Sequence, residues 1–404
     1  MRALKSAFQI VQVILVMLVF FISIELLGGS FNLMGEGFAR TLIETTANPV
    51  VGLFVGLLAT ALVQSSSLVT SMVVSIVAGG GLSVAGAIPI IMGSNIGTSV
   101  TNAIVSLGSV TRPDEFRRAF AAANVHDSFN TLTVLILFPL ELSFNVVSGT
   151  AAFMADIVAG SGGTNLLSPL KLVTEPATAF IISAANSNGI VVMIVGLALL
   201  FLSLRQLVVL LKSLILGRAE RLLHRYIFGA IVPALLAGMI ITALVQSSSI
   251  TTSLMVPLVG AGIVSVQQVF PFVLGANLGT TITALLAALM LSGSGGPGGL
   301  AALTVALAHT TFNAMGILIF LPLKRMRAIP IFLATTLGEL AYKRRAFAFA
   351  YVATLFFIIP SLVIFFTRDI EFEHKAAIPR ALEDSGYVRP EDTLRTDTTA
   401  VLDR

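Results

Sequence analysis

TALVQSSS runs from Thr60 to Ser67, and TALVQSSS runs again from Thr242 to Ser249, so one octapeptide is written twice, 182 residues apart. Each copy is followed by a second shared block at the same offset, GSNIGTSVT from Gly93 to Thr101 and GANLGTTIT from Gly275 to Thr283. A third block, HDSFN from His126, returns as HTTFN from His309 with one residue inserted. Three polar blocks in one order, each set in apolar sequence, describe two copies of a single unit whose polar patches face each other or a shared cavity. Ser and Thr in apolar helices also serve close packing or bond back to their own carbonyls. A duplicated set holding Gln, Asn and His, with Asp127 in one copy, exceeds what packing needs, because polar side chains at membrane depth cost kilocalories unless paired or used.

The composition places those blocks in a bilayer. Of 404 residues 56% are hydrophobic and 11% charged, with mean hydropathy +0.97, far from the balance of a soluble domain. Phe8 to Leu27 and Phe347 to Phe366 reach the roughly 20 residues that cross a bilayer as helix, and no alternating strands of a barrel are seen. There are no cysteines, which removes disulfides and thiolate metal sites and leaves the compartment unmarked. Four scattered histidines argue against a zinc centre, and the net charge of +4 lies in short clusters between apolar segments that mark topology, with no aromatic-interleaved basic face for nucleic acid. Arg2 and Lys5 precede an apolar run without a small-residue cleavage site, so the first segment reads as a retained helix.

Placing Arg2 and Lys5 in the cytoplasm sets the path. Residues 1–147 form the first unit: a crossing, a hairpin over 49–82 turning at QSSS, a helix over 84–107 broken at GSNIGT, and a crossing over 120–140. The apolar arms of the hairpin are about 15 residues each, short for a span, and a single crossing there would carry Arg112, Arg117 and Arg118 outside, against the positive-inside tendency. A re-entrant hairpin avoids this. Residues 148–188 read as an extracytoplasmic loop between the units. The second unit, 189–323, repeats the pattern with a hairpin over 228–264, a broken helix over 266–291 and a crossing over 300–323. A net of three passes per unit makes the two units inverted relative to each other. A cytoplasmic linker and an extra transmembrane helix fill 324–366, and 367–404, charged and nearly free of aromatics, reads as a disordered tail. The expected fold class is all-α and polytopic: two inverted-topology repeats, each with a re-entrant helical hairpin and a broken transmembrane helix.

Half-helix ends at mid-membrane specify a chemistry: free N–H groups suit anions, while carbonyls and hydroxyls suit Na+. Ser66, Ser67, Ser248 and Ser249 offer hydroxyls beside such N–H groups, a cradle for a tetrahedral oxyanion. Gln64, Gln246, Asn95, Asn277, Thr98 and Thr280 offer the oxygens a hard cation takes. His126, Asp127 and Asn130 are spaced to share one helix face. Asp127 lacks a counterpart in the second copy, where Thr310 stands, and reads as an ion ligand or proton carrier. Glu25, Glu141 and Arg205, near helix ends, read as capping or snorkelling.

The blocks VQSSS, GSNIGTSVTNAIV, EFRRAFAAANVHDSFNTLTVLILFPLE and GANLGTTITALLA resemble those of the type II sodium-coupled phosphate cotransporters, and LLSPLKLVTEP at Leu166 to Pro176 is similar to that family's inter-repeat loop. The resemblance runs from about Phe8 to Phe366. It implies secondary active uptake of inorganic phosphate driven by Na+, alternating access at the cell membrane, no cofactor beyond Na+ as coupling ion, and phosphate, Na+ and the lipid bilayer as partners. It carries phosphate binding to Ser65, Ser66, Ser67, Ser247, Ser248 and Ser249. It carries Gln64 and Gln246 to the phosphate and sodium sites, Asn130, Thr280 and Thr283 to sodium or substrate positions, and net charge movement to Asp127; with Asn95, Thr98 and Asn277, placed by their oxygens, these form the expected sodium-binding set. Ala276 departs from the family, which often reads GSN there, and removes a hydroxyl from one sodium position.

Other readings remain open on residues alone: a carrier of another oxyanion or a carboxylate, an H+-coupled carrier, or an ion channel suggested by the re-entrant loops. The channel lacks a filter-like run repeated fourfold. An intramembrane enzyme using a Ser with His126 or His309 is weaker still, since no GxSxG is present and the polar blocks are symmetric.

Overall fold

The computed structural model describes residues 2–34, 47–161, 168–222, 228–292, 297–368, 370 and 374–384. The described residues are helices and short turns. Among the described residues six helices are long and apolar enough to cross a membrane, and a seventh span arises if a bent pair is taken as one.

The first unit starts with α1 (Arg2–Met34). Its hairpin is α2 (Pro49–Val63) and α3 (Ser66–Ala78), followed by α4 (Val84–Gly97), α5 (Ser99–Leu107) and α6 (Pro113–Phe144). α7 (Val146–Gly160) leaves α6 at 71°, where Asn145 adopts the left-handed conformation. α8 (Ser168–Ala184) leads to the second unit, made of α9 (Gly189–Leu222), α10 (Ile231–Val245), the short pair α11 (Ser248–Ser253) and α12 (Met255–Gly260), α13 (Val266–Ser292) and α14 (Pro297–Phe320). Beyond both lie α15 (Lys324–Lys343), then α16 (Arg345–Ala353) continuing through one π-helical turn, Thr354–Ile358, into α17 (Ile359–Thr367), and finally α18 (Arg380–Asp384).

The duplication read from the sequence is present in the backbone. Gln64 (φ 57, ψ 30) ends α2 and Gln246 (φ 58, ψ 26) ends α10, both left-handed; each is followed by an extended serine, Ser65 (φ −148) and Ser247 (φ −151), whose hydroxyl caps the next arm. A left-handed residue then an extended N-cap reverses the chain in two residues, so QSSS is a helix stop fused to a helix start. Packing within the units repeats too. A Cβ on Gly93 would lie 1.7 Å from the Leu53 carbonyl oxygen, and one on Gly275 1.9 Å from that of Leu235. Only glycine lets α4 close on α2, and α13 on α10, at that distance.

Between units the packing is reciprocal. α3, the far arm of the first hairpin, lies against α13 and α14; α11 and α12, the far arm of the second, lie against α5 and α6; α1 lies along α9. Phe129 of α6 meets Phe270 and Phe320 of the second unit edge-on. Such exchange of like surfaces is what an internal two-fold relation produces.

Four expectations need correction. Of the two helices expected to be broken, α13 runs unbroken through Gly275 to Thr283, while α4 and α5 part at Thr98, the last residue of GSNIGT, whose right-handed helical angles keep them one span. The glycines taken as breakers serve close approach instead, and the nearby polar groups bond within the helix, Asn95 Nδ2 to Ile91 O at 2.8 Å and Thr280 Oγ1 to Ala276 O at 3.0 Å. Most of 148–188, expected as a loop, is helix. Residues 324–343, expected as a linker, form α15, which packs along α6. In the tail, 374–384 packs on α7: Ser148 Oγ accepts from Ala377 N at 3.1 Å and Asp156 accepts from Arg380 N and Ala381 N. The remainder of that tail, 385–404, lies outside the described residues.

Candidate functional site: two serine-tipped hairpins and a buried amide chain

The two turns meet. Ser67 Oγ donates to the Gln246 carbonyl at 3.0 Å, which brings the starts of α3 and α11 together. The first N–H groups of each arm lack an intrahelical acceptor by construction, and Ser66, Ser67, Ser248 and Ser249 are all at most 6% exposed. Ser66, Ser248 and Ser249 hydroxyls make no hydrogen bond among the described residues, whereas Ser65 and Ser247 spend theirs on Leu68 N and Ile250 N. Gln64 is exposed and Gln246 buried with its Oε1 unpartnered, so the two glutamines share a backbone shape but not an environment.

Behind the tips a chain of amides alternates between the units. Asn313 Nδ2 donates to Asn95 Oδ1 at 3.2 Å, and Asn130 Nδ2 to Asn95 O at 2.7 Å. Asn277 Nδ2 donates to Asn130 Oδ1 at 2.6 Å while its Oδ1 pairs with His126 Nε2. His126 Nδ1 faces Asn102 Nδ2 at 3.4 Å, and Asn102 exchanges hydrogen bonds with Thr252 Oγ1 on the second hairpin at 2.9 and 3.0 Å. With Asn277 Oδ1 an acceptor and Asn102 Nδ2 a donor, the ring carries its proton on Nε2. The chain ties α4, α5 and α6 to α11, α13 and α14, and oxygens without partners remain at its edges: Gln246 Oε1, Thr283 Oγ1, Thr242 Oγ1 and Asn313 Oδ1.

Of the residues singled out by sequence, Ser67, Gln246, Asn95, Asn130 and Asn277 come together. Thr98 and Thr280 turn back on Ser94 O and Ala276 O. Asp127 does not share the face of its neighbours: successive residues point about 100° apart on a helix, so where His126 and Asn130 meet Asn277, Asp127 turns to Tyr351 of α16. Glu141 caps, as expected, accepting from Val147 N at 2.7 Å and Ser148 N at 3.0 Å; Glu25 accepts from Thr174 and Thr178 of α8. Sequence reasoning missed Asn102, Asn313, Thr252 and Tyr351. Asn102 lies just past GSNIGTSVT, Asn313 is the last residue of HTTFN, and Thr252 lies three residues beyond QSSS; nothing but its hydroxyl in an apolar run marked Tyr351.

Comparison with known proteins gives the family. The Na+/Pi-cotransporter family matches twice, over residues 19–208 and 199–373. The chain is 36% identical over 424 residues to sodium-dependent phosphate transport protein 2A of Rattus norvegicus, covering 85% of this chain and 65% of that protein. It is 35% identical over 426 residues to the 2A protein of Ovis aries, with the same coverage, and 32% identical over 443 residues to the 2B protein of Homo sapiens, covering 86% of this chain and 63% of that one. The chain thus spans just under two thirds of the length of these relatives. No solved structure matches. The chain is a multi-pass membrane protein of the Na+/Pi-cotransporter family.

Proposed function

We propose that this chain is a secondary active transporter that carries inorganic phosphate into the cell with Na+ by alternating access, in the cell (inner) membrane of its source. The observation that carries the reading is the meeting of the two QSSS tips, Ser67 against Gln246, inside a duplicated fold of this family. Phosphate needs donors, and the tips supply four buried serine hydroxyls with the first amides of α3 and α11. Na+ needs oxygens, and the unpartnered carbonyl and hydroxyl oxygens of Gln246, Thr283 and Asn313 are of that kind. Asp127 is the carboxylate that gives a transport cycle net charge.

The two units are inverted in this reading. Each holds three crossing-length segments, and an odd count turns the second copy over. Reciprocal packing of the hairpins supports it, since an in-plane two-fold relation lets tips from opposite leaflets meet halfway. Alternating access is then a rocking of α1 to α6 against α9 to α14 in which the amide chain shears and re-forms.

The test is uptake of labelled phosphate into proteoliposomes holding the purified chain. Accumulation under an inward Na+ gradient, abolished when K+ replaces Na+, is expected. Equal accumulation under an H+ gradient without Na+ would overturn the ion assignment, and uptake that is neither saturable nor gradient-coupled would favour a channel.

A further inference from the structure

Tyr351 stands on α16, part of the one span that neither unit duplicates, and its hydroxyl donates to Asp127 Oδ2. Asp127 is 1% exposed and no basic side chain is paired with it among the described residues. A phenol hydrogen bond satisfies one lone pair and leaves the carboxylate charge uncompensated, a costly state at this depth.

Three buried oxygens on one stripe of α6 lack a well-formed hydrogen bond: Asn124 Oδ1, Asp127 Oδ1 and Thr131 Oγ1. Positions three and four apart share a helix face, so Asn124, Asp127 and Thr131 line one stripe of α6. An amide oxygen, a carboxylate and a hydroxyl are the donors a hard monovalent cation takes.

The helix that brings the tyrosine is loosely held. Only 17% of the apolar window within Arg345–Thr367 is buried, and its π-helical turn, Thr354–Ile358, begins three residues after Tyr351. Such turns hold an extra residue in the ladder and recur at functional sites; few buried contacts mean a low cost of displacement. The ring itself is steadied by Phe347, stacked at 6.2 Å, and by Phe120, edge-on at 6.2 Å.

Resting on the reading of Asp127 as a Na+ ligand, we infer that Tyr351 is the placeholder for that ion. Its hydroxyl holds the carboxylate while no cation is bound and yields when Na+ enters against Asn124, Asp127 and Thr131, so ion entry is felt by the unduplicated helix. The hydroxyl keeps its proton throughout.

A placeholder competes with the ion, and its removal has a sign. Tyr351→Phe keeps the ring contacts and removes the donor from the empty state alone. The probe is radioactive sodium bound by purified protein without phosphate, and the quantity read is the part of binding lost in Asp127→Asn. Tyr351→Phe is expected to lower the half-saturating Na+ of that part roughly tenfold, since hydrogen bonds to charged groups are among the stronger ones. It is expected to have no effect on binding in the Asp127→Asn background. Unchanged or weaker binding in Tyr351→Phe overturns the inference while leaving Na+ coupling standing. So does a shift of equal size without the carboxylate. Absence of any sodium binding in the unaltered protein overturns both.

Discussion

Gly93 and Gly275 are the residues at which one added methyl group tests the packing. The atoms a Cβ would strike are carbonyl oxygens of the facing helix, and backbone cannot move aside as a side-chain tip can. Gly275→Ala is therefore expected to lower stability by about 3 kcal/mol, the upper end for overpacking, read as a fall in melting temperature in detergent; an unchanged midpoint would contradict the close approach. Asn277→Leu is expected to cost about 1–3 kcal/mol, because it leaves His126 Nε2 and Asn130 Oδ1 buried without partners. At this scale the sequence was readable wherever polarity stood out against apolar neighbours, as at Gln246, Asn95 and Asn277. It was not readable where the partner was distant: the Tyr351 contact spans 224 positions, and no local spacing announces it. The same holds for Asp127, whose direction is set by the 100° step of the helix relative to His126, and which the shared block drew wrongly toward its neighbours.

The hairpins are the elements on which the proposed binding depends. Because the chain has no cysteine, a pair placed at Ser67 and Gln246 has no competitors. A spontaneous or copper-catalysed cross-link between them, reversed by reductant and read as a shift in gel mobility, is expected; failure to link would separate the tips. The cap on α7 is a second element-scale device, holding both the 71° bend and the returning segment 374–384. Glu141→Ala is expected to release that segment to protease while the tip cross-link still forms. Glycine and proline misled the reading of elements. Glycines in GSNIGT and GANLGT were taken as helix breakers but mediate contact with the neighbouring helix, and Pro176 sits inside α8, within a stretch expected as loop. In a bundle of apolar helices small residues record where a neighbour comes close, a tertiary fact with no local signature.

For the whole molecule, duplication was legible because both copies keep their polar blocks at one offset, and everything that follows from two-fold exchange could be drawn from it: paired hairpins, paired first crossings, tips in contact. The unpaired span was not, since symmetry says nothing about a part that occurs once. In the proposed architecture the two hairpins enter from opposite sides and meet within the bilayer. Single cysteines at Ala47 and Ala230, exposed residues beside the starts of α2 and α10, test this directly in sealed, right-side-out vesicles treated with a membrane-impermeant maleimide. Labelling of Ala47→Cys in intact vesicles, and of Ala230→Cys only after the membrane is opened, is the predicted result. Labelling of both from the same side would contradict it.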